Sequence, residues 1–309
     1  FKLTITSGKR SMNLEWFVEL SGERISGNKS LSEKGLNLAV KEGDYPGGKS
    51  YSVSLANVGY KTLIIDRVGA IITGLRTGME RKWRVFLDQG ACGWCGVKRI
   101  DALQSDRYLE PVHNERISPF PFHRSDLQTV IWDAISGEAV LVGFLRQRYG
   151  SNKVDIIPIE DPSDIDRLEA WQQFAIGLSP GTTQPLDVLV VSEGTDPYKM
   201  LEEFGTAVML HQGRRFDAPP IIGMMTWYGY RTAIDEEVML GNSKIIGELF
   251  SGYPQEMQKI MLLDHGWEED ANLGYWKPDK KRFPHGMKWL ADQIAKDGLK
   301  LGLWYTPFC

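Results

Sequence analysis

Cysteine is scarce in this chain of 309 residues: Cys92, Cys95 and Cys309 are the whole complement. Three thiols cannot build a disulfide framework. The Cys92-Gly93-Trp94-Cys95 spacing fits a redox pair or half a zinc site, but structural zinc takes four ligands and no second pair exists. A thioredoxin-type dithiol wants a helix starting at the motif, whereas the flanks Trp83–Leu87 and Val97–Ile100 read as strand and loop. Charge of one sign is also lacking. A net charge of −4 gives no electrostatic footprint for nucleic acid. No apolar run approaches the length of a transmembrane helix, so no membrane partner is expected. The opening Phe1-Lys2-Leu3-Thr4-Ile5 has neither an initiator methionine nor a signal-peptide pattern, and the chain stops just after an apolar run, at Pro307-Phe308-Cys309. These ends predict a fragment of a longer protein and leave the compartment open.

Aromatic residues, by contrast, are plentiful, at 11% with ten Trp. Trp and Tyr pair a flat apolar face with a polar handle. Sugar-binding clefts use both, since the CH patches of a pyranose pack on a ring while its hydroxyls need partners. Most of the ten are still expected in the core. The hydrophobic share of 42% is ordinary for a soluble globular protein, and the length allows two domains.

Up to about residue 195 the pattern is one of short apolar or alternating runs between turn residues. Tyr51–Leu55 alternates with period two, as a half-buried strand does. Thr62–Ile65, Gly69–Ile72, Glu138–Val142 and Leu186–Val191 read as further strands, with turns at Pro46-Gly47-Gly48 and Ser179-Pro180-Gly181. Many short strands with turns between them predict a β-sandwich over 1–195. Asp196-Pro197 then places a capping residue before a proline suited to the first helical turn. Leu201, Phe204 and Val208 share one helical face, so 196–218 reads as a linker helix and boundary.

From 219 onward strand and helix alternate. Ile221–Thr226 is a strand ending at Trp227. Asp235-Glu236-Glu237 opens a helix, the acids explained by its positive end. Lys259–Leu263 is a second strand, running abruptly into Asp264-His265-Gly266-Trp267. Pro284 opens another helix and Gly298 ends it; Leu299–Leu303 is a third strand, ending at Trp304. Buried parallel strands that deliver polar or aromatic groups at their carboxyl ends suggest the rim of a (β/α)8 barrel. Trp227 and Asp264 are 37 positions apart, Asp264 and Trp304 40, compatible with βα units of about 30 residues plus insertions. No G-x-G-x-x-G follows the first strand, so dinucleotide binding is unsupported. The Lys277–Arg282 charge cluster reads as a solvated loop, and Trp267 and Trp276 as packing for the loop after the second strand.

The ordered set Thr226-Trp227-Tyr228-Gly229-Tyr230, Ile234–Glu237, Leu263–Trp267, Gly274-Tyr275-Trp276, Arg282–Met287, Gly298–Trp304 and Pro307 resembles the melibiase-type α-galactosidases, glycoside hydrolase family 36 and its relatives. The resemblance covers about 219–309. It implies a multi-domain fold: a supersandwich-like β-sandwich, then the first three or so βα units of a TIM (β/α)8 barrel, here truncated. Arg84–Phe86 followed by Gly93-Trp94 is similar, more loosely, to a loop that reaches over the family's active site. The family is retaining: an aspartate nucleophile forms a glycosyl-enzyme and a second carboxylic acid protonates the leaving oxygen, the two roughly 5–5.5 Å apart. The resemblance places both beyond Cys309, so no catalytic residue is assigned and the fragment alone is expected to be inactive.

Sugar recognition does carry over. By resemblance Trp227, Asp264 and Trp304 line the galactose pocket, with Trp94 reaching it from the sandwich. Asp264 matches the first of two aspartates that bind the hydroxyls at carbons four and six. His265 stands where the family has the second. Neutral imidazole has one donor and one acceptor and cannot accept twice, so His265 is a substrate-binding candidate that puts the exact sugar in question. The expected function is retaining hydrolysis of a terminal α-linked galactose or related sugar. Competing readings are a raffinose-synthase-like transglycosylase, a non-catalytic carbohydrate-binding protein and a dithiol oxidoreductase. No metal or organic cofactor is implied; a carbohydrate is the partner, and a homo-oligomer stays open.

Overall fold

The computed structural model describes residues 2–7, 10–75, 82–88, 96–99, 123–158, 165–213, 217–274 and 276–306. Two compact units emerge, Phe1–Arg215 and Phe216–Cys309. Among the described residues, no helix is long and apolar enough to cross a membrane.

The first unit is built from two antiparallel sheets. One has seven strands, with Arg10–Leu20, Leu63–Thr73, Ile165–Leu178 and Ser151–Pro158 adjacent in that order. The other has eight, with Gly48–Asn57, Leu189–Gly194, Ala139–Phe144, Gln128–Asp133 and Trp83–Leu87 at its centre. Alternation explains how they face each other. Met12, Leu14, Trp16 and Val18 of one sheet and Tyr51, Val53 and Leu55 of the other enter a single core, as period-two side chains must when one face is covered.

Thr62–Ile65 and Gly69–Ile72, read from sequence as separate strands, belong to one strand, Leu63–Thr73. The charged pair between them does not interrupt it. Arg67 keeps its ladder partners and sends its guanidinium to Glu19 at 2.6 Å. The helix Pro197–His211 is capped by Asp196, whose Oδ1 accepts from Tyr198 and Lys199 N–H. Met200 and Phe204 pack it onto Gln128–Asp133 and Ala139–Phe144. Gly143 and Gly194 make room for them, since a Cβ at either would lie 2.7–2.8 Å from the Met200 or Phe204 side chain.

The second unit is a three-stranded parallel sheet, Ile221–Met225, Gln258–Leu263 and Lys300–Leu303, in sequence order. The helices Glu236–Phe250 and Gly286–Ile294 connect successive strands. Asp235 caps the first by accepting from Val238 N–H at 2.8 Å, with Glu236 and Glu237 in its first turn. Met239, Phe250, Met261, Leu263, Phe283 and Leu290 form the core between sheet and helices.

Candidate functional site

Each parallel strand passes its hydrogen-bond ladder to the residue just beyond it. Thr226 N–H donates to Leu262 O at 3.2 Å, and Trp304 N–H donates to Leu263 O at 2.9 Å. The Asp264 N–H donates to the buried Thr226 Oγ1 at 3.0 Å. Trp227 (which follows Thr226), Asp264 and Trp304 thus leave the sheet at the ends of neighbouring, hydrogen-bonded strands.

Asp264 is buried, at 6% exposure. Its Oδ1 accepts from the His265 N–H at 2.7 Å. Its other oxygen, Oδ2, takes no hydrogen bond among the described residues. The His265 ring approaches two indoles, with centroids 6.0 Å from Trp227 and 5.5 Å from Trp304. Trp276 extends the aromatic surface, 6.5 Å from Trp304, 6.2 Å from Trp267 and 5.9 Å from Tyr305. Trp267 is itself buried and donates Nε1–H to Trp304 O at 2.9 Å, tying the ends of the second and third strands together.

Behind His265 lies a carboxylate with no exposure at all. Glu268 Oε1 stands 3.4 Å from His265 Nδ1, and Oε2 accepts from Gly266 N–H at 2.7 Å. The loop folds back on itself to bury it: Glu268 bridges to Pro278, and Glu269 N–H donates to Lys277 O at 2.8 Å. Arg282 fastens this fold-back. Its guanidinium donates to Thr232 O at 2.8 Å, Glu268 O at 3.0 Å and Asp279 Oδ2 at 3.2 Å. Burial alone would raise the Asp279 carboxyl, but the N–H groups of Arg282 and Lys281 and the guanidinium outweigh it and hold it below the usual aspartate range. The Lys277–Arg282 stretch is therefore not simply a solvated charge cluster: Arg282 is a structural clamp that composition alone does not reveal.

No family model matches the chain. Curated relatives do match. α-Galactosidase Mel36A of Lactobacillus acidophilus is 41% identical over 54 residues, which span 16% of this chain and 7% of that protein. α-Galactosidase A of Cellvibrio japonicus is 33% identical over 87 residues, 28% of this chain and 21% of that one. This chain is a relative of the melibiase-type α-galactosidases. The solved α-galactosidase of Lactobacillus brevis shares its fold, with a TM-score of 0.53 at 12% identity over 99% of this chain and 41% of that one. The chain thus matches only 7% and 21% of the two curated proteins' lengths.

Trp227, Asp264, His265 and Trp304 lie together. Trp94 and the Cys92–Cys95 pair fall outside the described residues, as do Tyr275, Pro307 and Cys309. Sequence reasoning missed Glu268, since only the fold-back of its loop buries it. Among the described residues no group of three or more His, Cys, Asp or Glu could hold a metal ion. A shallow cavity of about 570 Å³ opens beside Pro219, Met257, Gln258 and Lys300, at the amino ends of the strands. Its lining includes neither Asp264 nor any aromatic residue.

Proposed function

We propose that the carboxyl ends of the three parallel strands form the sugar-recognition wall of a retaining glycoside hydrolase that acts on terminal α-galactosides or a close relative. The carrying observation is the uncommitted Oδ2 of buried Asp264, followed in the chain by an imidazole whose ring centroid is within 6.0 Å of those of both Trp227 and Trp304. An ionised carboxylate only accepts, so Oδ2 suits a hydroxyl donor, and a buried acceptor left unpaired by an epimer penalises that epimer. The indoles offer apolar faces for the ring. The three βα units are read as the amino-terminal part of a (β/α)8 barrel, whose sites sit at this end of the strands. Asp264 holds the sugar and does not cleave it; the nucleophile and the acid/base are assigned to other parts of the full-length protein.

The test uses that full-length protein with galactose and with aryl α-glycosides. Asp264→Asn weakens galactose binding about 10- to 100-fold, as expected for a hydrogen bond to a charged group, about 1.5–3 kcal/mol. His265→Asp moves the preference among aryl α-glycosides towards the galactoside. Unchanged binding in the first variant, or an unchanged preference in the second, overturns the recognition assignments. Hydrolysis of an aryl α-galactoside by the 309-residue chain alone overturns the placement of catalysis outside it.

A further inference from the structure

We propose that Glu268 is a positioning residue for His265: its carboxylate takes the Nδ1 proton and leaves Nε2 as a hydrogen-bond acceptor facing the sugar. The inference rests on the sugar-binding reading for what Nε2 meets, but its chemical core concerns only the imidazole.

The geometry fixes the carboxylate before the ring is considered. Glu268 Oε2 is committed to Gly266 N–H at 2.7 Å. Its main-chain oxygen is held by Arg282 at 3.0 Å, and its backbone bridges to Pro278. Only Oε1 is left for the ring, at 3.4 Å from Nδ1, the outer limit of a hydrogen bond and well within charge-pair range. With Glu268 ionised, its carboxylate can only accept, which puts the proton between the two groups on Nδ1. A neutral imidazole has one N–H, and the partner of one nitrogen decides the role of the other. Nε2 therefore carries the lone pair, and it takes no hydrogen bond among the described residues. The preceding residue, Asp264, holds its Oδ1 on the His265 N–H and offers Oδ2, also an acceptor without a partner there. Two acceptors on consecutive residues suit two hydroxyl donors of a neutral pyranose. The His265–Glu268 pair thus performs the accepting role of a carboxylate at the rim, with the negative charge moved one residue layer inward.

Replacing Glu268 with glutamine gives a directional prediction. Glutamine has one carbonyl oxygen, and Gly266 N–H at 2.7 Å claims it. The amide NH₂ then faces Nδ1 and donates to it, which moves the ring proton to Nε2. Glu268→Gln should therefore invert the tautomer of His265 without displacing the ring.

The chain contains five histidines, so ¹⁵N-histidine labelling gives a countable spectrum, with His265 assigned by its loss in His265→Gln. At a pH where the imidazole is neutral, the wild type should show a protonated Nδ1 and an unprotonated Nε2, and Glu268→Gln the reverse. A wild-type ring that is protonated on Nε2, or an even mixture, overturns the proposal whether or not the variant folds. In the full-length protein, galactose should bind at least about tenfold more tightly than one of its 4- and 6-deoxyfluoro analogues, because fluorine cannot donate to Nε2, and Glu268→Gln should collapse that ratio. A ratio that persists in a variant with an inverted tautomer overturns the substrate half of the proposal. Absence of galactose binding in the wild type, with the expected tautomer present, refutes the sugar reading and leaves the Glu268–His265 assignment standing.

Discussion

At Gly266 the backbone takes φ +118°, and a Cβ built there would lie 2.7 Å from Thr232 Cα and 3.0 Å from its carbonyl oxygen. Both contacts are with backbone, so no side-chain rotation relieves them. This glycine also supplies the N–H that anchors Glu268. Gly266→Ala should therefore cost about 1–3 kcal/mol of backbone strain and disturb His265 as well. Urea unfolding followed by tryptophan fluorescence should show the lower midpoint; an unchanged midpoint would mean that the Thr232 segment yields. Asp264, Trp227 and Trp304 are legible at this scale because each ends an apolar run, the point at which a buried parallel strand hands its chain to the rim. Glu268 is not. It follows Trp267 in a loop without periodicity, and pairing with Pro278, ten positions on, is what buries it.

Among the elements, the seven-stranded sheet shows how charged residues can occupy its outer side without loss of strand. Glu19 and Glu169 are buried there, and Arg24 meets both at 2.9 Å. Arg67 reaches Glu19, and Arg167 reaches Glu169 at 2.9 Å. The same guanidiniums cover aromatic rings: Arg24 lies 4.1 Å from the Phe17 ring centre, and Arg67 and Arg124 each lie 4.8 Å from that of Trp171. This is why Phe17 is fully buried although its neighbours Trp16 and Val18 point into the opposite core. Alternation locates the inner face of these strands well, but not a partner that arrives from three strands away. Desolvation pushes the Glu169 carboxyl up, yet hydrogen bonds and charge from Arg24 and Arg167 prevail and hold it below the ordinary glutamate value. A depressed folded value contributes stability that is fully present above the unfolded pKa of about 4.3 and lost as pH falls through the folded one. The stability gap between wild type and Glu169→Gln should be widest near neutrality and shrink below about pH 4, read by chemical denaturation at several pH values. A gap constant with pH would refute the ionic origin.

For the whole molecule, the two units differ in how many sheet faces they cover. Each antiparallel sheet turns one side to the shared core; on the eight-stranded one the helix Pro197–His211 covers part of the other side as well, and Ala139–Phe144 is buried throughout. Parallel strands are ordinarily covered on both sides and read as near-continuous apolar runs. Ile221–Met225 and Gln258–Leu263 follow that pattern, yet among the described residues the helices and core of this unit meet only one of their faces. Met224, Met261 and Leu263 pack there, whereas Ile221 and Met225 on the other face are 62% and 41% exposed. In register, Gly223 pairs with Ile260, and Leu262 with both Met225 and Gly302, so large and small positions are interleaved as in the filled interior of a barrel. A face of this kind on an isolated chain is an apolar surface of the sort that draws dyes and other chains. The 309-residue chain should accordingly bind an apolar fluorescent dye such as ANS in its folded state, and the double variant Ile221→Thr, Met225→Thr should lose most of that signal while keeping its far-UV circular dichroism. If dye binding is absent, or survives the double substitution with secondary structure intact, this face is not the exposed interior layer, and the barrel reading of the three parallel strands loses its main physical support.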